Sequence, residues 1–337
     1  MNHYSQGWRE LPACPQLSIV APMYNEEKNL SELFTRLTET LNQIGMTYEI
    51  ICINDGSKDN TLKKVLEFSR QNSYTKVIDL SRNFGKEIAL SAGIDYSRGD
   101  AVIPIDSDLQ DPPELIIQLV AKWKEGFDVV YATRTSRRGE SWLKRFTADQ
   151  FYRIVGKVGE ISIPENTGDF RLLDRKVVEA LKRLPERSRF MKGLFAWVGF
   201  SQTSVYFERP PRHKGITSWN YWKLWNFALD GITSFSTLPL KLWTYIGCGI
   251  SSFAFFYAVI LIVRTLLVGI DVPGYASLMV VTLFLGGINL LVLGVIGEYL
   301  SRIFIEVKQR PLYLVRGIYG FEESEATEMT KQFVDSP

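Results

Sequence analysis

Three oxygen-bearing side chains at alternate positions of one polar segment could together hold a metal ion. The segment runs Asp106-Ser107-Asp108-Leu109-Gln110-Asp111-Pro112-Pro113 and directly follows the apolar residues 101–105. If it stays extended, as its two prolines favour, the side chains of Asp106, Asp108 and Gln110 point the same way. Oxygen ligands of this kind suit Mg²⁺ or Mn²⁺, which can neutralise the charge of a departing diphosphate. We therefore predict a divalent-metal site at this segment.

Two other polar segments follow apolar ones earlier in the chain. In residues 21–27, Asn25 is placed to cap a helix whose first turn carries two carboxylates, and ordinary capping would explain the pattern. In residues 54–61, Asp55 is placed to accept hydrogen bonds from a base or a ribose. Turn formation explains the small residues beside Asp55 equally well.

Basic residues mark two further candidate positions. Arg134 directly follows a fifth apolar segment, where it can meet a phosphate at the carboxyl edge of a sheet. Arg212, His213 and Lys214 precede an aromatic-rich segment and can receive a phosphate carried by a lipid. Anionic lipid headgroups alone would also explain this basic cluster.

The elements that must position these side chains are visible as hydrophobic periodicity. Short β-branched runs alternate with helical patterns in the first half of the chain. The predicted strands are residues 17–21, 48–53, 76–80, 101–105 and 128–132, and the predicted helices are residues 26–45, 61–68, 86–96 and 113–125. Successive βα units of this length build a mainly parallel sheet whose ligands bind beyond the carboxyl ends of the strands. The predicted fold is therefore α/β and Rossmann-like.

Composition excludes several classes of protein. The 337 residues carry 39 Lys and Arg against 37 Asp and Glu, which is too balanced to indicate a nucleic-acid partner. The chain contains 2 histidines, so a histidine-rich zinc site or a His-based triad is disfavoured. Cys14, Cys52 and Cys248 have no paired spacing, which indicates a reducing compartment. The absence of a Walker or Gly-x-Gly-x-x-Gly motif argues against P-loop nucleotidases and dinucleotide dehydrogenases.

Two long apolar segments near the C-terminus predict a transmembrane hairpin at about residues 240–268 and 276–298. A buried hairpin in a soluble core is disfavoured, because soluble helices seldom run this long without a polar face. Basic residues flank the pair, whereas the loop at residues 269–275 carries only Asp271, so both flanks should be cytoplasmic. The aromatic segment at residues 218–235 predicts an interface helix, with an aromatic core helix as the alternative.

These patterns divide the chain into four parts. We expect a cytoplasmic catalytic domain at residues 1–215, an interface region at 216–238, two transmembrane helices within 239–300, and a cytoplasmic tail at 301–337. The polar N-terminus lacks the apolar core of a secretory signal, which agrees with a cytoplasmic first domain.

Several motifs resemble those of family 2 inverting glycosyltransferases. The resemblance lies in Pro22 to Glu26, Asn54 to Thr61, Asp106 to Pro113 and Asn166 to Arg171. Together with the two apolar segments, these motifs are most similar to the polyisoprenyl-phosphate glycosyltransferases, in particular the bactoprenol glucosyltransferases. Dolichol-phosphate mannose synthases are more distant. The resemblance covers nearly the whole chain.

The resemblance implies a nucleotide-sugar-binding α/β domain. It places Pro22, Tyr24, Glu26 and Asp55 around the base and ribose. With the strand-end position of Arg134, the residues that we expect to bind the nucleotide sugar are Pro22, Tyr24, Glu26, Ile53, Asp55, Asp106, Ser107, Asp108 and Arg134. The resemblance also implies metal at Asp108 and Gln110, with Asp106 nearby. Asp169 is the residue expected to orient or deprotonate the acceptor, although a turn carboxylate bonding its own backbone explains the spacing nearly as well. Ser107 stands where many relatives have Ala or Met, and it does not reveal the donor.

The expected reaction is transfer of a sugar, glucose from UDP-glucose, to polyprenyl phosphate with inversion. The phosphate of the acceptor is already largely anionic at neutral pH, so the main task is alignment rather than deprotonation. Three alternatives remain open. They are a related transferase for another nucleotide sugar, a processive polysaccharide synthase, and an inactive membrane-anchored sensor. The synthase is disfavoured because its Gln-x-x-Arg-Trp motif is absent. The expected location is the bacterial inner membrane, and relatives make a homo-oligomer plausible by analogy.

Overall fold

The computed structural model describes residues 15–135, 167–184, 186–187, 189–208, 238–268 and 274–321. Within these ranges the chain forms an eight-stranded sheet in the order β7-β5-β6-β4-β1-β2-β3-β8. The strands are β1 (Leu17–Met23), β2 (Tyr48–Asn54), β3 (Thr75–Leu80), β4 (Ala101–Pro104), β5 (Val129–Arg134), β6 (Thr167–Asp174), β7 (Gln202–Phe207) and β8 (Val315–Tyr319). The helices are α1 (Leu30–Ile44), α2 (Thr61–Gln71), α3 (Lys86–Tyr96), α4 (Ile116–Lys124), α5 (Arg175–Lys182), α6 (Met191–Trp197), α7 (Leu238–Val268) and α8 (Tyr275–Lys308), with a short 3₁₀ turn at Pro113–Leu115.

The central strands confirm the predicted, mainly parallel sheet. β1 pairs in parallel with both β2 and β4, and β2 pairs in parallel with β3. Apolar side chains fill both faces of this sheet and form two buried clusters, one of which contains the inner stripe of α1. The carboxyl ends of β1, β2, β3 and β4 therefore lie along one edge, which we call the catalytic edge.

Helix α1 begins later than the sequence predicts. It starts at Leu30 rather than at residue 26, so Asn25 does not cap it. Asn25 instead adopts a left-handed backbone conformation with φ 57°, and its side-chain oxygen accepts a hydrogen bond from the backbone N–H of Lys58 at 2.8 Å. The segment thus forms a turn that joins the loops after β1 and β2.

Three strands were not predicted, because their pairing depends on distant parts of the chain. β6 runs antiparallel to both β4 and β5 and lies between them. Its first residues therefore meet the carboxyl ends of β4 and β5 at the catalytic edge. β8 is antiparallel to β3 and forms an outer edge of the sheet, with Val315 opposite Leu80.

Two long helices precede β8. One apolar helical stretch, Ser277–Lys308 within α8, is long and apolar enough to cross a membrane among the residues that the structure describes. α7 extends over 31 residues and was also predicted to be a span, and this second span stays a prediction. The side chain of Glu306 in α8 accepts a hydrogen bond from the backbone N–H of Arg187 at 2.8 Å, which ties α8 to the connection between α5 and α6.

Candidate active site

The loop after β4 is a turn and not the extended segment that the sequence predicts. Leu109 has a left-handed backbone with φ 60°, and the backbone N–H of Gln110 donates to a carboxylate oxygen of Asp108 at 3.1 Å. Gln110 is buried, whereas Asp106 and Asp108 are half-buried. The predicted extended conformation of this loop is therefore wrong, although Asp106, Asp108 and Gln110 all lie in one short loop at the catalytic edge.

The loops after β1, β2 and β4 are held together by hydrogen bonds. The hydroxyl of Ser107 donates to the carbonyl of Pro22 at 2.9 Å, and the backbone N–H of Asp55 donates to the carbonyl of Met23 at 2.9 Å. Tyr24 is 42% exposed at this edge, which leaves its ring available to a ligand. The loops assembled here carry most of the residues predicted to bind a nucleotide sugar.

Three of those predicted residues have structural roles as well. The side chain of Ile53 is fully buried in the core. The carboxylate of Glu26 accepts a hydrogen bond from the side-chain amide of Asn29 at 2.7 Å. Both carboxylate oxygens of Asp55 accept backbone N–H groups, from Phe84 at 2.7 Å and from Gly85 at 3.0 Å. Burial raises the pKa of Asp55, and the two backbone donors oppose that rise.

An ammonium group connects the loop after β4 with strand β6. The Nζ of Lys86, the first residue of α3, lies 2.7 Å from a carboxylate oxygen of Asp106 and 2.6 Å from one of Asp169. Burial acts to lower the pKa of Lys86, but the two carboxylates outweigh it and hold that pKa well above its usual value. Lys86 is therefore a permanent cation between the two acids.

Asp169 lies in β6 rather than in the turn that the sequence predicts. Its side chain is 7% exposed, and its Oδ1 has no hydrogen-bond partner among the described residues. Burial acts to raise the pKa of Asp169, but the charges of Lys86 and Lys192 outweigh it and hold that pKa well below the usual range. Asp169 is thus an ionised, buried carboxylate with one oxygen committed to Lys86.

Two more buried ionisable groups, Arg171 and Glu87, interact with the charge of Asp169. The guanidinium of Arg171 lies over the ring of Phe195 at 4.2 Å and donates to the carbonyl of Gly168 at 2.7 Å. Burial lowers the pKa of Arg171 to about 10, so it stays charged at neutral pH. The carboxylate of Glu87 accepts the backbone N–H of Met191 at 3.1 Å, and burial together with the charge of Asp169 raises the pKa of Glu87 to about 7.

Lys86, Glu87 and Arg171 were not predicted to be site residues. A usable signal was present for Lys86, because it follows the end of β3 and parallel strands present their ligands at that edge. The burial of Glu87 and Arg171 depends on β6 and α6, which were not predicted.

Arg134 lies beside the residue that precedes Asp169. A Cβ added to Gly168 would come within 3.2 Å of a terminal guanidinium nitrogen of Arg134. This position places a cation at the end of β5, at the same edge as Asp106 and Asp169. Arg212, His213 and Lys214, predicted to contact the acceptor phosphate, lie outside the described residues.

The donor atoms near β4 fit a divalent ion of the Mg²⁺ type. Within the described ranges, no group of three or more His, Cys, Asp or Glu side chains is arranged to hold a metal. Mg²⁺ is often bound by one or two carboxylates with waters and substrate phosphates in its remaining positions. Asp106 and Asp108 supply such a pair, and a diphosphate would supply the rest.

Comparisons with known proteins identify the family of this chain. The profile described as "Glycosyl transferase family 2" matches residues 18–182. The chain is 66% identical over 307 residues to an uncharacterized glycosyltransferase of Synechocystis sp., covering 91% of this chain and 96% of that protein. It is 48% identical over 301 residues to the SfII prophage-derived bactoprenol glucosyl transferase of Shigella flexneri, covering 89% of this chain and 97% of that one. The chain therefore belongs to glycosyl transferase family 2 and is a glycosyltransferase.

Solved structures are more distant. Glucosyl-3-phosphoglycerate synthase of Mycobacterium tuberculosis, in complex with Mn²⁺, uridine diphosphate and glucosyl-3-phosphoglycerate, is 19% identical with a TM-score of 0.45, over 69% of this chain and 84% of that one. The first 349 residues of Staphylococcus aureus TarS are 17% identical with a TM-score of 0.39, over 57% of this chain and 60% of that one. Similarity at this level says nothing about substrate or metal.

Proposed function

We propose that this protein transfers glucose from UDP-glucose to polyprenyl phosphate, with inversion at the anomeric carbon. The observation that carries the proposal is the meeting of Asp106 and Asp169 at one ammonium on the catalytic edge. Asp106, which would hold the metal ion of the donor diphosphate, therefore lies close to Asp169, which would orient the acceptor. The identity with a bactoprenol glucosyl transferase, 48% over 89% of the chain, supports the choice of sugar and of lipid.

On the donor side, the loops after β1 and β2 bind the nucleoside. Tyr24 offers an exposed ring at the catalytic edge, and Pro22, Glu26, Ile53 and Asp55 belong to the same loops and strand ends. Asp106, Asp108 and Gln110 would hold Mg²⁺ or Mn²⁺, with Ser107 fixing the loop through its bond to β1. When bound, such an ion compensates the charge that develops on the leaving diphosphate.

On the acceptor side, Asp169 orients the attacking phosphate oxygen behind the anomeric carbon. A phosphate monoester is largely anionic at neutral pH, so alignment matters more than proton removal. A carboxylate beside an anionic acceptor requires nearby cations, and Lys86 and Lys192 act on Asp169. Arg134 adds a cation beside Gly168 at the same edge of the sheet. Arg212 and Lys214 complete this cationic surface in our proposal.

The lipid acceptor requires a membrane next to the cleft, and α7 and α8 form the two-helix membrane hairpin of the proposal. Their large apolar side chains are exposed, with Phe253 74% and Leu290 72% accessible, as suits lipid contact. Residues 309–314 lead from α8 to the start of β8, which pairs with the end of β3 at the catalytic edge. Six residues span at most about 20 Å, which keeps the C-terminal end of α8 close to the catalytic edge. We assign the catalytic domain and both ends of the hairpin to the cytoplasmic side of a bacterial inner membrane.

Turnover with defined substrates tests the proposal. The full-length protein, purified in detergent, is incubated with undecaprenyl phosphate, Mg²⁺ and radiolabelled UDP-glucose, and label in the lipid phase is counted. Undecaprenol without phosphate is the matched control and should take up no label. Labelling from a different nucleotide sugar would correct the donor, whereas no lipid labelling from any sugar nucleotide would refute the proposed reaction.

A further inference from the structure

Lys86 is the point of contact between the donor and acceptor sides of the cleft. Its ammonium lies 2.7 Å from an oxygen of Asp106 and 2.6 Å from Oδ2 of Asp169. The two carboxylates come from different elements, the loop after β4 and strand β6. Carboxylates that share one site repel each other, and a cation between them removes this repulsion. The distance between the two acids therefore depends on Lys86.

The position of Lys86 is itself fixed by the loop after β2. Asp55 uses both carboxylate oxygens to accept the backbone N–H groups of Phe84 and Gly85, at 2.7 and 3.0 Å. Gly85, with φ 100°, adopts a backbone conformation that other residues rarely take. Lys86 follows immediately as the first residue of α3. A chain of contacts thus runs from Asp55 through this turn and Lys86 to both acids.

The remaining oxygen of Asp169 is the one available for chemistry. Oδ2 is bound to Lys86, while Oδ1 is buried without a hydrogen-bond partner in the described part of the chain. A buried acceptor atom without a partner is costly, so such an atom is commonly matched by a ligand or water. Because Lys86 fixes Oδ2, it also fixes the direction in which Oδ1 points.

We propose that Lys86 is a positioning residue for sugar transfer, which sets Asp169, and through it the acceptor, relative to Asp106 and the donor. This inference rests on the proposed function, since that function assigns Asp106 to the donor and Asp169 to the acceptor. Lys86 acts through these two carboxylates rather than by contact with a reacting atom.

Two substitutions at Lys86 test this role. Lys86→Met keeps most of the length and removes the charge, and Lys86→Arg keeps the charge. We expect Lys86→Met to lower kcat about 100-fold, because a misplacement of about 1 Å can cost that much. The Kd of UDP-glucose, measured by calorimetry, should change less than about threefold, because the nucleoside contacts remain. Lys86→Arg should recover part of kcat, and Lys122→Met, which removes an exposed lysine paired with Glu125 on α4, should match the parent.

A double-mutant cycle separates positioning from a general structural defect. If Lys86 acts through Asp169, Lys86→Met combined with Asp169→Asn should be little slower than Asp169→Asn alone. In thermal unfolding, the double variant should melt at a higher temperature than the sum of the two single shifts predicts, because Asp169→Asn removes the carboxylate that Lys86→Met leaves unpaired.

The outcomes distinguish this inference from the proposed function. If the parent protein transfers no sugar to polyprenyl phosphate, the proposed function fails and the unfolding cycle alone decides whether Lys86 couples the two acids. Additive effects in either cycle would overturn the positioning role. So would a Lys86→Met protein whose loss lies entirely in donor affinity.

Discussion

The two carboxylate oxygens of Asp169 have different surroundings: Oδ2 is bound to Lys86, and Oδ1 has no hydrogen-bond partner among the described residues. Asp169→Asn keeps the size of the side chain but removes the charge that pairs with Lys86. We expect the variant to lose most transfer to lipid, by about 100-fold or more, while it still binds the sugar nucleotide. Scintillation counting of the lipid phase and calorimetry with UDP-glucose measure the two properties separately.

The matched control for this experiment is Asp128→Asn. Asp128 pairs with Lys176 at the amino end of β5, on the side of the sheet away from the cleft. Its substitution should leave both transfer and donor binding unchanged. Unchanged transfer by Asp169→Asn at subsaturating polyprenyl phosphate would remove Asp169 from the mechanism.

Asp108 provides a test of the metal requirement. If a divalent ion compensates the leaving diphosphate, excess chelator should abolish transfer and Asp108→Ala should lower it by about 100-fold or more. Binding of Mn²⁺, followed by its electron paramagnetic resonance signal, should weaken in the same variant. Asp59→Ala, in the loop after β2, is a carboxylate control that should keep Mn²⁺ binding. Near-normal turnover in excess chelator would contradict the requirement.

Glu87 should make stability depend on pH. Burial raises its pKa from 4.5 to about 7 in the folded protein. The stabilisation from its protonated form is complete below the unfolded pKa and is lost as the pH rises through the folded pKa. Glu87→Gln cannot ionise, so its Tm should match the parent at pH about 4.5 and exceed it at pH about 8. Each unit of pKa shift corresponds to about 1.4 kcal/mol.

Thermal melts across that pH range measure the effect. Glu125→Gln removes an exposed carboxylate and is the control. Its plot of Tm against pH should be parallel to that of the parent. A Glu87→Gln curve that is also parallel to the parent would mean that Glu87 does not titrate as its burial indicates.

At the scale of elements, the close packing of α3 on the sheet depends on a glycine. A Cβ at Gly93 would lie 2.2 Å from Val20 Cγ1 and 2.6 Å from Ile53 Cδ1, so these side chains or the helix must shift. We expect Gly93→Ala to destabilise the protein by about 1–3 kcal/mol through overpacking. Because α3 carries Lys86, transfer should fall as well.

Circular dichroism melts of Gly93→Ala provide the measurement. Gly286→Ala in α8 is the control, because a Cβ there meets nothing within 4 Å. A Gly93→Ala protein as stable as the parent would show that α3 can move away from β1 and β2 at little cost.

Local pattern predicts some of these elements closely and others not at all. α3 spans Lys86–Tyr96, as its sequence predicts, and β2 differs from its prediction by one residue. These segments carry their own signal, because burial on both faces of a parallel strand gives a continuous apolar run. β6 and β8 instead form by pairing with strands that lie far away in the sequence. No local pattern encodes such partners.

The same distinction applies to the candidate site. Asp106 and Asp169 could be selected from motifs, but their connection through Lys86 follows from the position of β6 between β4 and β5. The turn after β4 was also missed, because prolines at the end of a loop do not fix the conformation of its beginning. Leu109, with φ 60°, adopts a conformation that is uncommon for its residue type.

For the whole molecule, the proposed topology makes the loop between α7 and α8 accessible only from outside the membrane. Gly274→Cys, in a background with Cys14→Ser and Cys248→Ser, should react with a membrane-impermeant maleimide added to spheroplasts. Glu125 is exposed at the end of α4, so Glu125→Cys in the same background should be reactive. It should react only after lysis, because the proposed topology places it in the cytoplasm. Labelling of Gly274→Cys only after lysis would overturn this orientation.

The position of β8 in the chain determines when the sheet can finish folding during synthesis. The ribosome makes β3 early, but the strand that covers its edge emerges only after α7 and α8. Until then, β3 presents unpaired backbone groups to the surrounding solution. Tyr313, buried at 5% exposure, and its hydrogen bond to Asp95 at 2.9 Å also form only at that stage. Nascent chains released before residue 315 should therefore expose an open sheet edge, and insertion of the hairpin into the bilayer should precede the last step of folding.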